Sequence, residues 1–123
     1  MNIQQLYEFC LSKRGVTEHF PFDEDILVFK VGEKIFALTS LSNWEKGNPA
    51  INLKCNPERA LELRAEYEAI VPGFHMSKIH WNTVHFNNDV SDKMICELIN
   101  DSYTLIFKSL TKKLQQEITE LEN

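Results

Sequence analysis

The chain has 123 residues, the length of one domain, and at this size roughly two-thirds of the unfolded surface can be buried. A hydrophobic fraction of 43%, a charged fraction of 25% and only four Gly and four Pro exclude a disordered, collagen-like or low-complexity chain. The net charge of −5, from 13 Lys and Arg against 18 Asp and Glu, argues against dense non-specific nucleic-acid binding, which rests on neutralising phosphates.

The acidic excess is uneven. Residues 1–60 carry 7 basic against 8 acidic side chains, and residues 61–123 carry 6 against 10. A local basic face is compatible with that balance but is not demanded by it. No apolar run approaches the ~18 residues of a membrane span. The first residues open on Asn and Gln rather than on a basic and then apolar stretch, so no signal peptide is expected. Cys10, Cys55 and Cys96 form no C-x-x-C pair and fall on apolar-periodic positions. They read as buried, inert thiols, neither disulfides nor zinc ligands, in keeping with a reducing cytoplasm.

In chain order, Ile3, Leu6, Tyr7, Cys10 and Leu11 repeat on one face of a first helix. Asn2 can cap it, Gln5 sits where a capping-box partner belongs, and Gly15 ends it. Thr17 to Asp25 reads as a connector, because Pro21 biases Phe20 to an extended conformation. Ile26–Val31 and Ile35–Thr39 are rich in β-branched and aromatic residues around Gly32-Glu33-Lys34, the pattern of a β-hairpin. Leu41 to Pro49 reads as a polar loop containing Trp44.

Residues 51–55 then alternate, with Ile51, Leu53 and Cys55 on the core side and Asn52 and Lys54 on the other. Asn56-Pro57 is a cap followed by a proline at the first helical position, and it opens a helix that buries Ala60, Leu63 and Tyr67. Short strands are expected at Ala69–Val71 and Thr83–Phe86, on either side of the Pro72-Gly73 turn. Asp89 or Ser91 caps a long helix whose Ile95, Leu98, Ile99, Ser102, Ile106 and Leu110 keep helical spacing. Leu114, Ile118 and Leu121 continue the spacing over about 111–123, as a C-terminal helical extension or a separate C-terminal helix, too short for a coiled coil. The result is a single α+β domain over 1–123, in two layers. A largely antiparallel sheet has helices on one face, in the order α-β-β-β-α-β-β-α.

No glycine-rich phosphate loop, nucleophile elbow or other catalytic signature occurs, so the chain is read as a non-enzyme without a cofactor. Asp23-Glu24-Asp25 reads as a solvated loop. His75, His80 and His85 are spaced so that neither a strand nor a helix brings them to one face, which argues against a metal. The most unusual segment, Pro72 to Asn82, holds His75, Lys78, His80, Trp81 and Asn82. Its bland reading is a buried Trp that anchors a loop. Its sharper reading is a recognition surface, since cations beside an aromatic ring suit phosphates and stacked bases. If Trp81 starts the last strand it shares a face with Thr83 and His85. Should Asn52 and Lys54 lie on that same face, the uncovered side of the sheet is a polar, partly basic platform.

At this point the sequence resembles the MmcQ/YjbR family of small bacterial proteins. The resemblance is carried by Phe20-Pro21-Phe22, by Gly32 to Ala37, by Leu53 to Glu58, by Leu63-Arg64, and by Asp101-Ser102-Tyr103. Its specific part is Pro72-Gly73-Phe74-His75-Met76-Ser77-Lys78-Ile79-His80-Trp81-Asn82-Thr83-Val84. Ser77 stands where Asn is common. The resemblance implies a CyaY-like, secretion-chaperone-like α+β fold and a "double-wing" DNA-binding proposal, with no catalytic residues to carry over.

Three functions stay open. A DNA-binding module would contact phosphates through Lys34, Lys54, His75, Lys78 and His80, with Trp81 stacking or supporting the loop. A protein- or peptide-binding module would offer the sheet or the C-terminal stripe to a partner. A small-ligand binder is the third. A cytoplasmic monomer or weak dimer without membrane contact is expected.

Overall fold

The computed structural model describes residues 1–74 and 76–121. Along them run α1 (Ile3–Leu11), β1 (Val16–His19), β2 (Ile26–Val31), β3 (Lys34–Ser40), α2 (Leu41–Glu45) and β4 (Ala50–Lys54). These are followed by α3 (Pro57–Glu66), β5 (Ile70–Pro72), β6 (Trp81–His85), α4 (Asp92–Ser109) and α5 (Lys112–Thr119). The strands form one six-stranded sheet in the order β1-β2-β3-β4-β6-β5, antiparallel at every pair. Leu6 and Cys10 of α1, Leu63 of α3, Ile95, Leu98, Ile99 and Ile106 of α4 and Ile118 of α5 join sheet residues Phe29, Val31, Ile51, Leu53 and Val84 in the main core. The fold is the expected two-layer α+β sandwich. No described helix is long and apolar enough to cross a membrane.

Local chemistry accounts for most boundaries. Asn2 accepts a hydrogen bond from the Gln5 amide at 2.8 Å, and the Gln5 side chain accepts from the Asn2 amide at 2.9 Å, a complete capping box. Asn56 caps α3 ahead of Pro57, and Ser91 caps α4. The β2–β3 hairpin turns on Gly32 and Glu33, whose φ values of 56° and 68° are both left-handed. That geometry matches the twist of the flanking strands, and it leaves Lys34 as the first residue of β3.

Two expectations are corrected. The stretch read as a connector takes in all of β1 but its first residue, and β1 pairs with β2 from Val16↔Val31 to His19↔Val28. Only Val16 of this strand packs on the core, so no apolar alternation marks it. The ladder holds it, together with the Tyr7 hydroxyl, which donates to Glu18 at 2.5 Å. The loop containing Trp44 begins with α2, a turn and a half capped by Ser40. Trp44 packs against Phe86 with ring centroids 4.8 Å apart and donates through Nε1 to Thr39 Oγ1 at 2.9 Å. Of the two readings of the C-terminal stretch the separate helix, α5, is the one that forms; a smaller difference is that β4 ends at Lys54, one residue before Cys55. Tyr67 ends α3 half-buried rather than inside the core.

The centre of the sheet carries a bulge. Phe29 pairs with Ala37 but Lys30 pairs with Ile35, so Phe36 is the extra residue of β3. Both Phe36 and Ala37 are thereby buried on the helix side, and the Phe36 ring lies edge-on to Tyr103 at 5.4 Å. The paired part of β3 and β4 covers Ala37↔Leu53 and Leu38↔Asn52. Beyond it, the fully buried Ser102 of α4 spans the gap. Its hydroxyl donates to the Phe36 carbonyl at 2.6 Å and accepts from the Lys54 amide at 2.9 Å.

Ser102→Ala strands a buried carbonyl and a half-buried amide, so it is expected to cost about 1–3 kcal/mol in chemical denaturation, with hydrogen exchange of the Lys54 amide accelerated. A second expectation concerns acid. Asp89 accepts from the Glu68 and Ala69 amides at 2.8 and 2.9 Å, and Asp25 accepts from the Ser40 hydroxyl and the Ser42 amide at 2.6 and 2.7 Å. These bonds hold both carboxyls below their ordinary value of 3.8. Because the folded value is the lower one, their stabilisation is present above 3.8 and disappears as pH falls through the folded value. Melting curves of Asp25→Asn and Asp89→Asn should lie below wild type at neutral pH and converge on it in strong acid.

Candidate functional site

The segment between β5 and β6 folds back on the sheet and is staked at both ends. Gly73 approaches Trp81 so closely that a Cβ there would sit 2.9 Å from the Trp81 Cβ and 3.0 Å from its carbonyl oxygen, and the Gly73 amide donates to that oxygen at 2.9 Å. The Phe74 amide donates to Thr83 Oγ1 at 3.1 Å, and Asn52 Nδ2 donates to the Phe74 carbonyl at 3.2 Å. From α3, the Arg64 guanidinium donates to Asn82 Oδ1 at 2.6 Å, to the Trp81 carbonyl at 3.2 Å and to the Lys78 carbonyl. A planar fork of donors suits three acceptors arranged around one strand start. Arg64 was not among the candidate site residues. The clues to it were the Leu63-Arg64 pair within the family resemblance and its place at the margin of the apolar face of α3.

The register tests the platform. Lys54 lies opposite Trp81 and Asn52 opposite Thr83, so these four do share the face away from the helices. Its character is nevertheless apolar. Val28, Leu38 and Trp81 form a second buried cluster there, flanked by Ile26, Ile35 and Met76. Asn52 and Thr83 are spent on each other and on the Phe74 backbone. The platform is therefore a small second core partly roofed by the loop. Trp81 is 8% exposed and cannot stack on a base; it supports the loop.

Antiparallel order brings the β2–β3 turn, the end of β4 and the start of β6 to the same end of the sheet. Lys34, Lys54, Lys78 and His80 therefore gather at that end, though not on one face. The Lys34 ammonium reaches the helix side, 3.4 Å from Ser109 Oγ, while Lys54 sits on the open side beside Trp81. Lys78 turns back to donate to the Gly73 carbonyl at 3.1 Å, and His80 is exposed. His75 lies outside the described residues.

The same end collects cations absent from the candidate set. A Cβ on Gly32 would meet the side chains of Leu110 and Leu114, so the hairpin tip is docked on the junction of α4 and α5. Lys108, Lys112 and Lys113 flank that junction, all exposed, and none takes part in an ion pair among the described residues. In the segments 31–34 and 108–113 the four lysines face one acidic residue, Glu33.

The thiols are poor nucleophiles. Burial pushes Cys10 up to about 12, and burial likewise raises the half-buried Cys55 and Cys96. Only Cys10 is fully buried, because positions 55 and 96 lie at the edges of the core rather than in its middle. Cys55 lines a cavity of about 230 Å³ between α3, α4 and the sheet, near the loose Arg59–Asp101 pair at 3.9 Å. No group of three His, Cys, Asp or Glu side chains able to hold a metal occurs among the described residues.

Comparison with known proteins places this architecture. A family model described as YjbR matches residues 11–105. The chain belongs to the YjbR family. It is 39% identical over 99 residues to the uncharacterized protein YbdF of Escherichia coli O157:H7, covering 80% of this chain and 79% of that one. It is 28% identical over 121 residues to the uncharacterized protein YjbR of Escherichia coli K12, covering 98% and 100%. Among solved structures it is similar to Deinococcus radiodurans protein DR2400, of domain family DUF419. The TM-score there is 0.87 at 34% identity, covering 96% of this chain and 88% of the other. A Pseudomonas syringae protein gives 0.72 at 29% identity, covering 86% and 99%. The YjbR match takes in the whole staked loop and ends within α4, so Lys108, Lys112 and Lys113 lie beyond it.

Because three acceptors share one guanidinium, Arg64→Lys should fail to rescue what Arg64→Ala loses. Both variants are expected to lose about 1–3 kcal/mol of stability. Hydrogen exchange of the Gly73 and Trp81 amides should rise well beyond the change in global unfolding; an increase equal to it would show that Arg64 only stabilises the whole fold.

Proposed function

We propose that this YjbR-family protein binds DNA through the lysine-bearing end of its sheet, without a catalytic step and in the cytoplasm, where its free thiols stay reduced. The observation that carries the reading is the docking of the hairpin tip on the α4–α5 junction, which adds Lys34 to Lys108, Lys112 and Lys113. This local excess of positive charge stands on a chain of net charge −5. The docked hairpin tip and the helix junction beside it offer a duplex two sets of phosphate donors, and Lys54 and His80 extend the same end toward the open face. Trp81 keeps its supporting role. The contacts are electrostatic and carry no base readout, so the binding is of low sequence selectivity.

Four phosphate contacts imply a log–log salt slope near −3.6, a loss of about a hundredfold in affinity between ~50 and ~200 mM salt. Anisotropy of a labelled random duplex should show that loss. Lys34→Glu with Lys112→Glu should weaken binding and lower the slope by about two. Lys93→Glu, at the other end of α4 some 24 Å away, should change little. Absence of saturable binding at ~50 mM salt, or equal effects of the two charge reversals, overturns the reading.

A further inference from the structure

The open face of the sheet holds a groove of about 560 Å³, larger than the cavity beside Cys55. Leu38, Ala50, Asn52 and Thr83 form its floor. Phe22, from the loop before β2, and Phe74 and Met76, from the loop before β6, rise around it. The Phe22 and Phe74 side chains are 64% and 54% exposed although each lines a concave apolar site. Exposed rings gathered on such a site mark a binding surface rather than unfinished packing.

The lining also says what kind of molecule would fit. The volume lies in the range of ligand pockets, roughly 300–1,000 Å³. None of the described lining residues is charged, so an ionic ligand would lose its hydration without recompense. Asn52 and Thr83 are committed to each other and to the Phe74 backbone, Thr39 donates to the Ala50 carbonyl, and Ser40 donates to Asp25. The Asn43 carboxamide differs: it lines the groove and has no hydrogen-bond partner among the described residues. The floor strands β3, β4 and β6 are all interior to the sheet, so an extended peptide finds no edge to join. We propose that the groove binds an uncharged aromatic small molecule, its rings against Phe22 and Phe74 and one hydrogen bond to Asn43. This site is distinct from the lysine-bearing end and does not depend on DNA binding.

The test uses N-phenylnaphthylamine, a neutral diaryl amine whose fluorescence rises in apolar sites. Wild-type protein should bind it saturably, with one site per chain. Phe74→Ser removes an exposed ring and should keep the melting temperature while weakening affinity at least tenfold. Asn43→Ala should weaken it severalfold, and Ala50→Phe should block it by filling the floor. No saturable binding, or binding indifferent to Phe74→Ser, overturns the proposal. So does light scattering that shows a wild-type dimer dissociated by Phe74→Ser, since the groove would then be covered by a second copy.

Discussion

The Ser102 hydroxyl, set between the Phe36 carbonyl and the Lys54 amide, is the contact on which the rest of the sheet depends. Two adjacent strands that part where one of them ends, here at Lys54 of β4, would normally leave a donor and an acceptor without partners in a dry interior. A hydroxyl serves both at once, and no apolar side chain of that size could. It joins the longest helix to the centre of the sheet and holds the Phe36 bulge. With the bulge, Phe36 and Ala37 both enter the main core, Ile35 turns to the open face and Lys34 turns to the helix side. A ladder without it would exchange those faces for every residue up to the hairpin tip.

That exchange matters because the two faces of the sheet are built differently. Helices cover the first face, leaving the cavity beside Cys55. The second is closed in part, by a loop that Arg64 clamps from the end of α3 and that Gly73 lets lie directly on Trp81. What this loop leaves uncovered is the apolar groove. What the hairpin gathers at the end of the sheet is the lysine cluster. The two surfaces differ in chemistry as well as place: one excludes charge, the other concentrates it.

Much of the fold was legible in the residues. The capping box at Asn2 and Gln5, the Asn56-Pro57 start, the hairpin around Gly32 and the alternation through Leu53 each bring their own local physics, and each element forms where that physics puts it. The strand β1 and the helix α2 were not legible. One is an edge strand with a single core residue, and the other is too short for helical periodicity to register. The platform was half legible. Strand parity sorted each strand's residues but left open whether Lys54 and Trp81 share a face; the register puts them on one, and the apolar residues contributed by β2 and β3 make that face a second core. Lys34 was found as a hairpin residue, while Lys108, Lys112 and Lys113 were not singled out, because nothing local in the sequence brings them to the hairpin tip.

The sequence by itself determined the class of fold, the order of most elements and the unusual nature of the Pro72–Asn82 segment, because capping, turn chemistry and hydrophobic period act over a few residues. The tertiary structure alone decided which charges meet, whether Trp81 is buried and where a groove is left open. Those depend on contacts such as Gly32 with Leu110, Ser102 with Phe36 and Arg64 with Asn82, between residues far apart in the chain. No local pattern encodes such a meeting, since it exists only once the sheet has set its register and the helices have docked on it.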